Sequence, residues 1–247
     1  MRMSRKAGQN LTYGIAHELG VEIVTGVYSA DNPIPIEAEL CRKYDASRPV
    51  LREAVKMLTA KGLLAARPRR GTWVQSEDKW NLLDPDVLGW LLDRKYSPQL
   101  LIEFTEIRLA IEPGAAALAA QAAGPEEKAA IRAGIERMQA ADRGDDDPLD
   151  SDIAFHVAVL RASRNRFYAQ LTGFTAAALR FSIQTTNRYK GVQLASIADH
   201  KKVADAILAG KSAAAGEAMR KLIQEALDLI SRREARQSAR RSARTGR

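Results

Sequence analysis

The sequence predicts a mainly α-helical protein of two domains: an N-terminal winged helix-turn-helix with a small β-hairpin wing, and a C-terminal all-α bundle of six or seven helices. Three observations support this prediction. Two short amphipathic helices in the N-terminal third are separated by a tight break. Two short strand-like runs then flank an arginine-rich turn. From Pro85 onward, apolar residues recur at helical spacing, and no convincing strand is present.

The stretch ASRPVLREAVKMLTAKGLL predicts a helix with two contrasting faces. A helix turns about 100° per residue, so Arg48, Arg52 and Lys56 fall within one arc. The opposite arc is apolar, and Gly62 is placed to end the helix. Such a helix has one buried face and one cationic face. Taken alone, the pattern also fits a solvated surface helix.

The neighbouring segments favour a more specific interpretation. PIEAELCRKYDA predicts a shorter helix that ends at a tight break at Asp45 and Ala46, and two short helices joined in this way suggest a helix-turn-helix. Residues 63–66 and 72–75 are expected to form strands around RPRRG, which would be the tip of a wing. An upstream helix, about residues 13–25, supplies apolar side chains that close a small core. The predicted module is helix, helix, recognition helix and hairpin.

The positive charge is concentrated at the two ends of the chain. Residues 1–76 contain 12 lysines and arginines against 7 acidic residues, and residues 231–247 contain 7 against 1. Residues 77–230 carry a net charge of −3, within an overall charge of +8. A cationic winged helix would neutralise DNA phosphates, so its binding should weaken steeply with salt. The sequence therefore predicts double-stranded DNA as a partner.

The apolar content is sufficient for two cores. Residues 1–76 are expected to form the DNA-binding domain, and residues 77–97 a linker and docking helix in which Trp80 docks one domain onto the other. Residues 98–231 would form the helical domain. Residues 232–247 would form a basic, disordered tail after a short helical start, which provides either solvated charge or auxiliary phosphate contacts.

Composition excludes several classes of protein. No apolar run is long enough to cross a bilayer, and the basic N-terminus lacks the apolar segment of a secretory leader. The protein is therefore expected to be cytoplasmic and to have no membrane partner. Cys41 is the only cysteine, which excludes an intrachain disulfide and a thiolate metal cluster within one chain.

Polar residues on apolar arcs of the helical region predict a buried site. Asp152 and His156 lie one helical turn apart, and His200 and Arg108 share their arcs with apolar residues. Burying such groups without partners is costly, so we expect them to meet in one pocket. A carboxylate with two imidazoles suits a divalent cation such as zinc or nickel, whereas the alternative is an Asp–His hydrogen bond without metal. Arg108 would either clamp a ligand carboxylate or form an internal ion pair with Glu112.

The order of these motifs resembles a known family. PIEAELCRKYDASRPVLREAVKMLTAKGLL followed by RRGTWV resembles the winged helix of GntR-type transcription regulators. EIRLAIEPGAAALAA, DIAFHVAVLRASRN and DHKKVADAILAG resemble the helical ligand-binding (FCD) domain of the FadR-like branch. WNLLDPDVLGWLL is similar to a segment of its galactonate-responsive members. The resemblance covers nearly the whole chain and implies a transcription regulator rather than an enzyme.

On this resemblance, DNA contacts are assigned by position in the family motif. The residues expected to contact DNA are Arg48, Val50, Arg52, Lys56, Arg70 and Gly71. The first four lie on the recognition helix, and the last two lie at the wing tip, which enters the minor groove. Ala38 stands where many relatives have an arginine, so one expected contact is missing.

The resemblance also implies a metal site and an effector site. Asp152, His156 and His200 match three of the four usual metal ligands, and Leu222 stands at the position of the fourth. A metal ion with open positions would still bind the carboxylate and hydroxyl oxygens of an effector. The residues expected to bind the effector are Arg108, Arg180 and Asn187. The implied effector is a sugar acid of the aldonate or uronate kind.

The predicted protein is a repressor that binds a palindromic operator as a homodimer and is released by a small carboxylate effector. Activation by the ligand is an open alternative. A second alternative is a DNA-binding regulator that senses the metal itself. A third is a helical metalloenzyme, which is disfavoured because no convincing second carboxylate or nucleophile accompanies the three metal-type residues and the winged helix would be unexplained.

Overall fold

The computed structural model describes residues 3–67, 71–93, 98–190 and 196–245; within these segments, the side chains of residues 3–10, 93, 98, 183–190, 234 and 236–245 are not described. The chain divides into two compact units, Met1–Tyr96 and Ser97–Arg247. The first unit contains a two-stranded antiparallel sheet, and the rest of the regular structure is helical. The predicted fold class is confirmed.

The described part of the first unit contains four α-helices, two strands and one 3-10 turn. Their bounds are α1 (Met3–Val24), α2 (Glu37–Lys43), α3 (Arg48–Ala60), β1 (Leu64–Arg67), β2 (Gly71–Val74), the 3-10 turn (Glu77–Lys79) and α4 (Pro85–Asp93). Helices α2 and α3 form the predicted helix-turn-helix. The turn between them includes Asp45 in the left-handed backbone region, at φ 45°. A short polar side chain tolerates this conformation better than most others do.

Helix α3 is the predicted recognition helix. Ser47 precedes it with an extended backbone, and a proline occupies its first turn, where a missing N–H leaves no helical hydrogen bond unmade. Gly62 follows the helix at φ 79°, a conformation that glycine adopts without steric strain. Leu51 and Leu58 are buried on the apolar face. The helix therefore ends before Gly62 and turns its apolar face inward as its sequence predicts, and the side chain of Ser47 makes no capping hydrogen bond.

The core of the first unit joins α1, α2, α3 and the hairpin. Its buried residues on α1, the predicted upstream helix, include Ile15, Leu19, Ile23 and Val24. They pack in one hydrophobic cluster with residues of α3 and β1, namely Leu51, Ala54, Leu58 and Leu64. Full burial of one such side chain contributes about 1.5–3 kcal/mol, so this cluster is the main source of stability in the unit.

The two strands pair in an antiparallel hairpin. Leu64 lies opposite Val74, and Arg67 lies opposite Gly71. The strands are each displaced by one residue from the predicted ranges. The tip, residues 68–70, lies outside the described residues, and it includes the predicted DNA contact Arg70.

Helix α4 packs on α1 through Trp90. The indole N–H of Trp90 donates a hydrogen bond to Nδ1 of His17 at 2.9 Å. Gly20 makes room for the ring, because a Cβ atom added at Gly20 would lie 2.4 Å from it. Val87 and Trp90 belong to the same hydrophobic cluster as the helix-turn-helix core. The segment predicted as a docking helix is therefore part of the first unit.

Lys61 connects the end of α3 to the beginning of α4. Its Nζ atom lies 2.7 Å from Oδ2 of Asp84 and 2.8 Å from Oδ2 of Asp86. Oδ1 of Asp84 also accepts hydrogen bonds from two backbone N–H groups in the first turn of α4. Trp80, predicted to dock one domain onto the other, contributes to the core of the first unit, where its indole N–H donates to the carbonyl of Gln75 at 3.0 Å.

The described part of the second unit contains seven helices, in agreement with the six or seven predicted. They are α5 (Pro98–Ala122), α6 (Pro125–Asp142), α7 (Pro148–Ala162), α8 (Arg166–Gln170), α9 (Thr172–Lys190), α10 (Ile197–Leu208) and α11 (Ser212–Thr245). One hydrophobic core joins α5, α6, α7, α10 and α11. Helix α9 contacts α5 through Phe174 and Phe104, whose ring centroids lie 4.9 Å apart. Among the described residues, no helix is long and apolar enough to cross a bilayer.

Helix α11 continues to Thr245, so the backbone of residues 232–245 is helical where the sequence analysis expects a disordered tail. The segment SRREARQSARRSART contains neither glycine nor proline and is rich in alanine and arginine, which both have high helix propensity. The positive charge of this segment predicts disorder, whereas the helix propensity of its residues predicts the observed helix.

Candidate DNA-binding face and metal centre

The cationic face of α3 is exposed, as the helical arcs predict. The side chains of Arg48, Arg52 and Lys56 are 71%, 65% and 74% exposed. Val50, which lies between the two arginines in sequence, is half-buried and packs against the core of the first unit. The helix therefore presents guanidinium and ammonium groups to solvent while its other face stabilises the domain.

Gly71 begins the strand that follows the wing tip. Its backbone lies in the left-handed region at φ 80°, and a Cβ atom added there would have no neighbour within 4 Å. The need for glycine at this position is therefore conformational rather than a matter of space.

Glu37, in the first turn of α2, binds the arginines of the recognition helix. Its two oxygens accept hydrogen bonds from Nε and Nη2 of Arg52 at 2.8 Å and 3.2 Å, and one oxygen lies 3.7 Å from Nε of Arg48. The hydrogen bond from Arg52 holds the pKa of Glu37 below its usual value. The sequence pattern does not predict this role, because the pair joins two helices and helical periodicity reports only contacts within one helix.

Asp152, His156 and His200 meet in the interior of the second unit. Asp152 and His156 are one turn apart on α7, His200 is on α10, and all three are buried. Oδ1 of Asp152 lies 3.3 Å from Nε2 of His156 and 3.2 Å from Nε2 of His200. The two Nε2 atoms are 3.3 Å apart. The structure thus brings together the three residues that the sequence predicts as metal ligands.

Hydrogen bonds on the far side of each imidazole determine which nitrogen faces the cluster. Nδ1 of His156 lies 2.5 Å from Oε2 of Glu112, and Nδ1 of His200 lies 2.8 Å from the backbone carbonyl of Ser196. An ionised carboxylate and a carbonyl can only accept hydrogen bonds, so each Nδ1 carries a proton. In the neutral imidazoles, each Nε2 therefore presents a lone pair to Asp152.

This arrangement fits a divalent metal ion. Within the described part of the chain, Oδ1 of Asp152 has no hydrogen-bond partner. When both imidazoles are neutral, neither neighbouring Nε2 has a proton to donate to it. One ligand atom from each of the three residues can be chosen so that all lie within 4.8 Å of one another. One carboxylate and two imidazoles form a donor set suited to zinc, nickel or a similar ion.

A proton on His156 is the alternative to a metal ion as the source of positive charge in the cluster. Burial lowers the pKa of His156, but Glu112 and Asp152 outweigh this effect and raise it above its usual value. A proton on His156 would let it donate to Asp152, which corresponds to the hydrogen-bonded alternative without metal. A bound metal ion replaces such protons, since ligands must be deprotonated to coordinate it.

Arg108 lies beside this cluster in an internal ion pair. Its Nε atom donates to Oε1 of Glu112 at 2.6 Å, and the residue is 4% exposed. Burial raises the pKa of Glu112, but Arg108 and His156 together lower it to about 2, so the carboxylate is charged at neutral pH. One of the two alternatives for Arg108 is thus present. Arg108 bonds Glu112 through Nε, so this hydrogen bond does not involve the two Nη amino groups of Arg108.

Of the other two predicted effector residues, only Arg180 has a described side chain, and that side chain does not reach the buried cluster. Arg180 is exposed, and its Nη2 atom pairs with Asp150 at 2.8 Å. The side chain of Asn187 lies outside the described residues. Leu222, at the position of the fourth ligand, is half-buried and packs against the main core of the second unit. The described residues therefore offer three ligands for one ion.

A winged helix with a cationic recognition helix, joined in one chain to a helical domain with a buried polar cluster, defines a class of DNA-binding transcription regulators. Residues 11–74 match the family model of bacterial regulatory proteins of the gntR family, and residues 103–225 match the FCD domain. The chain belongs to the GntR family of transcription regulators, and its second domain is an FCD domain.

The similar proteins agree with this assignment. The chain is 34% identical over 199 residues to the galactonate operon transcriptional repressor of Escherichia coli (strain K12), which covers 80% of this chain and 87% of that protein. It is 32% identical over 222 residues to the HTH-type transcriptional regulator YieP of the same strain, covering 88% and 94%. These relatives are transcription regulators, so the metalloenzyme alternative is excluded.

Solved structures support the fold. A chain described as Lar, which controls the expression of the Listeria monocytogenes agr system, has a TM-score of 0.57 and 16% identity to this chain. The similarity covers 90% of this chain and 96% of that chain. At this identity, the likeness concerns the arrangement of helices and strands alone.

Proposed function

We propose that this protein is a ligand-responsive repressor that binds a palindromic operator as a homodimer and is released by a sugar acid bound at a divalent metal ion. The observation that carries the proposal is the convergence of three lone-pair atoms, from Asp152, His156 and His200, on one buried point beside Arg108. Without a cation, the lone pairs of these three buried atoms repel one another, which is energetically unfavourable.

The DNA-binding part of the proposal rests on the exposed face of α3. Arg48, Arg52 and Lys56 offer hydrogen-bond donors to base edges and phosphates in the major groove. Arg70 and Gly71, at the wing tip, contact the minor groove. Two copies of the chain place two recognition helices in successive major grooves, so the half-sites of the operator are one helical turn apart.

The sensing part rests on the metal cluster. With three protein ligands, a zinc or nickel ion keeps open coordination positions, and the ion supplies a Lewis-acidic binding point for carboxylate and hydroxyl oxygens. The Nη groups of Arg108 would share the effector carboxylate. Arg180 and Asn187 remain predicted effector contacts because of their position on α9, ahead of the helix that carries His200. Similarity to a galactonate operon repressor supports a sugar acid as the effector.

The response requires that the effector prefer the DNA-free state of the protein. A ligand shifts a conformational equilibrium only as far as its affinities for the two states differ. Typical coupling between two sites changes affinity by about 5–150-fold. The sugar acid would therefore weaken operator binding by a factor in this range.

Operator binding as a function of metal and sugar acid tests the proposal. An operator duplex is first selected from a random-sequence pool with the full-length protein. Fluorescence anisotropy is then measured with metal-free and Zn²⁺-loaded or Ni²⁺-loaded protein, with D-galactonate, D-gluconate or D-galacturonate added and sodium chloride as the ionic-strength control. We expect at least one sugar acid to weaken binding by about 5–150-fold in metal-loaded protein alone.

Asp152→Asn provides the matched control, because it should bind the operator and fail to respond to the sugar acid. Release of DNA by chelation alone, with no effect of any sugar acid, would favour the metal-responsive alternative. A sugar-acid response that is equal in metal-free protein would contradict the proposed role of the ion.

A further inference from the structure

Glu112 connects Arg108 to the metal cluster. It is fully buried on α5, and its two oxygens are used on opposite sides: Oε1 accepts from Nε of Arg108 at 2.6 Å, and Oε2 accepts from Nδ1 of His156 at 2.5 Å. A buried carboxylate is costly unless its oxygens are paired. Here both oxygens have charged or strongly polar donors, so the carboxylate is held in one orientation.

The two histidines of the cluster are oriented by different means. Nδ1 of His200 donates to the carbonyl of Ser196, the N-cap residue of its own helix, at 2.8 Å. That acceptor belongs to the backbone and does not depend on a side chain. His156 depends on a side chain from another helix, Glu112, which is 44 positions away in sequence. A carboxylate acceptor also makes an imidazole more basic, which strengthens it as a metal ligand.

We infer that Glu112 is a positioning residue of the metal centre: it keeps Nδ1 of His156 protonated and Nε2 directed at the ion, and Arg108 holds Glu112 in place. The affinity part of this inference rests on the proposed function, since it assumes that an ion binds. The orientation of His156 is a property of the metal-free protein.

The same geometry gives Arg108 a role that needs no effector. Without Arg108, Oε1 of Glu112 would lose its donor, and the carboxylate would be free to turn away from His156. Loss of Arg108 should therefore weaken metal binding, even in the absence of any sugar acid. Because Arg108 acts through Glu112, the effects of removing both residues should not add.

The tautomers of the two histidines are the direct test. Long-range ¹H–¹⁵N NMR spectra of metal-free, ¹⁵N-labelled full-length protein distinguish a proton on Nδ1 from one on Nε2. At a pH where both imidazoles are neutral, we expect Nδ1–H for both His156 and His200 in the wild type. In Glu112→Gln, an amide NH2 group, which can only donate, replaces one of the two accepting oxygens, so Arg108 and His156 cannot both keep their acceptor and the His156 signals should change while those of His200 stay.

Zn²⁺ affinity, measured by competition with a chelating indicator, is the second readout. We expect Glu112→Gln to bind Zn²⁺ about 10–100-fold more weakly than the wild type. Arg108→Met should show a smaller loss, and the double variant should bind no more weakly than Glu112→Gln alone. Asp146→Asn is the matched control: Asp146 also pairs with an arginine Nε, that of Arg137 at 2.8 Å, and its loss should leave both readouts unchanged.

Two results would overturn the inference: an Nε2-protonated neutral His156 in the wild type, or a Glu112→Gln variant with the wild-type tautomer and wild-type Zn²⁺ affinity. The wild-type spectrum needs no variant, so it decides the question even if Glu112→Gln fails to fold. If the wild type shows the expected tautomers and binds no Zn²⁺ or Ni²⁺, the metal site of the proposed function fails while the positioning of His156 by Glu112 stands.

Discussion

Glu37 and Arg52 form two hydrogen bonds, at 2.8 Å and 3.2 Å, that join the two helices of the DNA-binding motif. The carboxylate binds the side of the guanidinium through Nε and Nη2. This pairing orders the arginine before it meets DNA, and such preorganisation reduces the entropy lost on binding. Glu37 also removes one unit of net positive charge from the recognition surface. It should therefore increase sequence discrimination and reduce non-specific affinity.

Glu37→Gln tests this role. We expect the ratio of operator affinity to random-DNA affinity to fall by roughly tenfold, because Arg52 loses its charged partner, while non-specific binding becomes stronger. Anisotropy titrations with operator and scrambled duplexes at several salt concentrations measure both quantities. Glu53→Gln is the control, since Glu53 pairs with Lys56 and the change in charge is identical. An equal loss of discrimination in both variants would refute the positioning role of Glu37.

Arg52→Ala should weaken operator binding by about 1–3 kcal/mol and leave the melting temperature nearly unchanged. The melting temperature should hardly change because the side chain of Arg52 is 65% exposed and its ion pair with Glu37 lies at the surface. Arg164→Ala, which removes an exposed Arg–Glu pair in the second unit, serves as the control. Tight operator binding by Arg52→Ala would show that α3 does not read the operator through this arginine.

Zn²⁺ should raise the thermal stability of the second unit, because an ion that binds only the folded state stabilises it. At a free concentration 100 times the dissociation constant, the gain is about 2.7 kcal/mol. Thermal melts with Zn²⁺ and with a chelator measure the effect. Asp152→Asn should melt at the same temperature in both conditions; a Zn²⁺ shift as large as that of the wild type would place the ion elsewhere.

Gly20→Ala should destabilise the first unit by about 1–3 kcal/mol, because the added methyl group would overlap the Trp90 ring. Gly14→Ala is a control on the same helix, since a Cβ atom there has no neighbour within 4 Å. Helix propensity alone should make Gly14→Ala more stable by about 1 kcal/mol. Urea denaturation of both variants provides the comparison, and equal stabilities would argue against packing of α4 on α1 through Trp90.

Periodicity predicted the contacts made within one helix or by one helix face. The exposed arc of Arg48, Arg52 and Lys56 and the inward turn of Asp152 and His156 follow from about 100° per residue. His200 shares an arc with apolar residues, which predicts that it also faces the interior and can belong to the same metal site. These properties depend only on residues close together in the chain, so they can be predicted from a single sequence.

Pairings between helices could not be predicted in the same way. Glu112 was recognised as a neighbour of Arg108 on α5, but its second oxygen is used by His156 on α7, and no local pattern connects the two helices. Glu37 was missed for the same reason. The sequence predicts that Trp80 docks one domain onto the other; its place in the core of the first unit depends on the path of the chain after the wing, which no local pattern shows.

The bonds from Lys61 to Asp84 and Asp86 have a consequence for protein engineering. They make α4, the helix after the wing, an integral part of the DNA-binding unit, beyond the end of the helix-turn-helix and hairpin. A chimaeric repressor that fuses the DNA-binding unit to a different sensor domain keeps its structure only if the junction follows residue 93. A junction at residue 76 would remove Val87 and Trp90 from the core, and it would leave the ammonium group of Lys61 without its acidic partners.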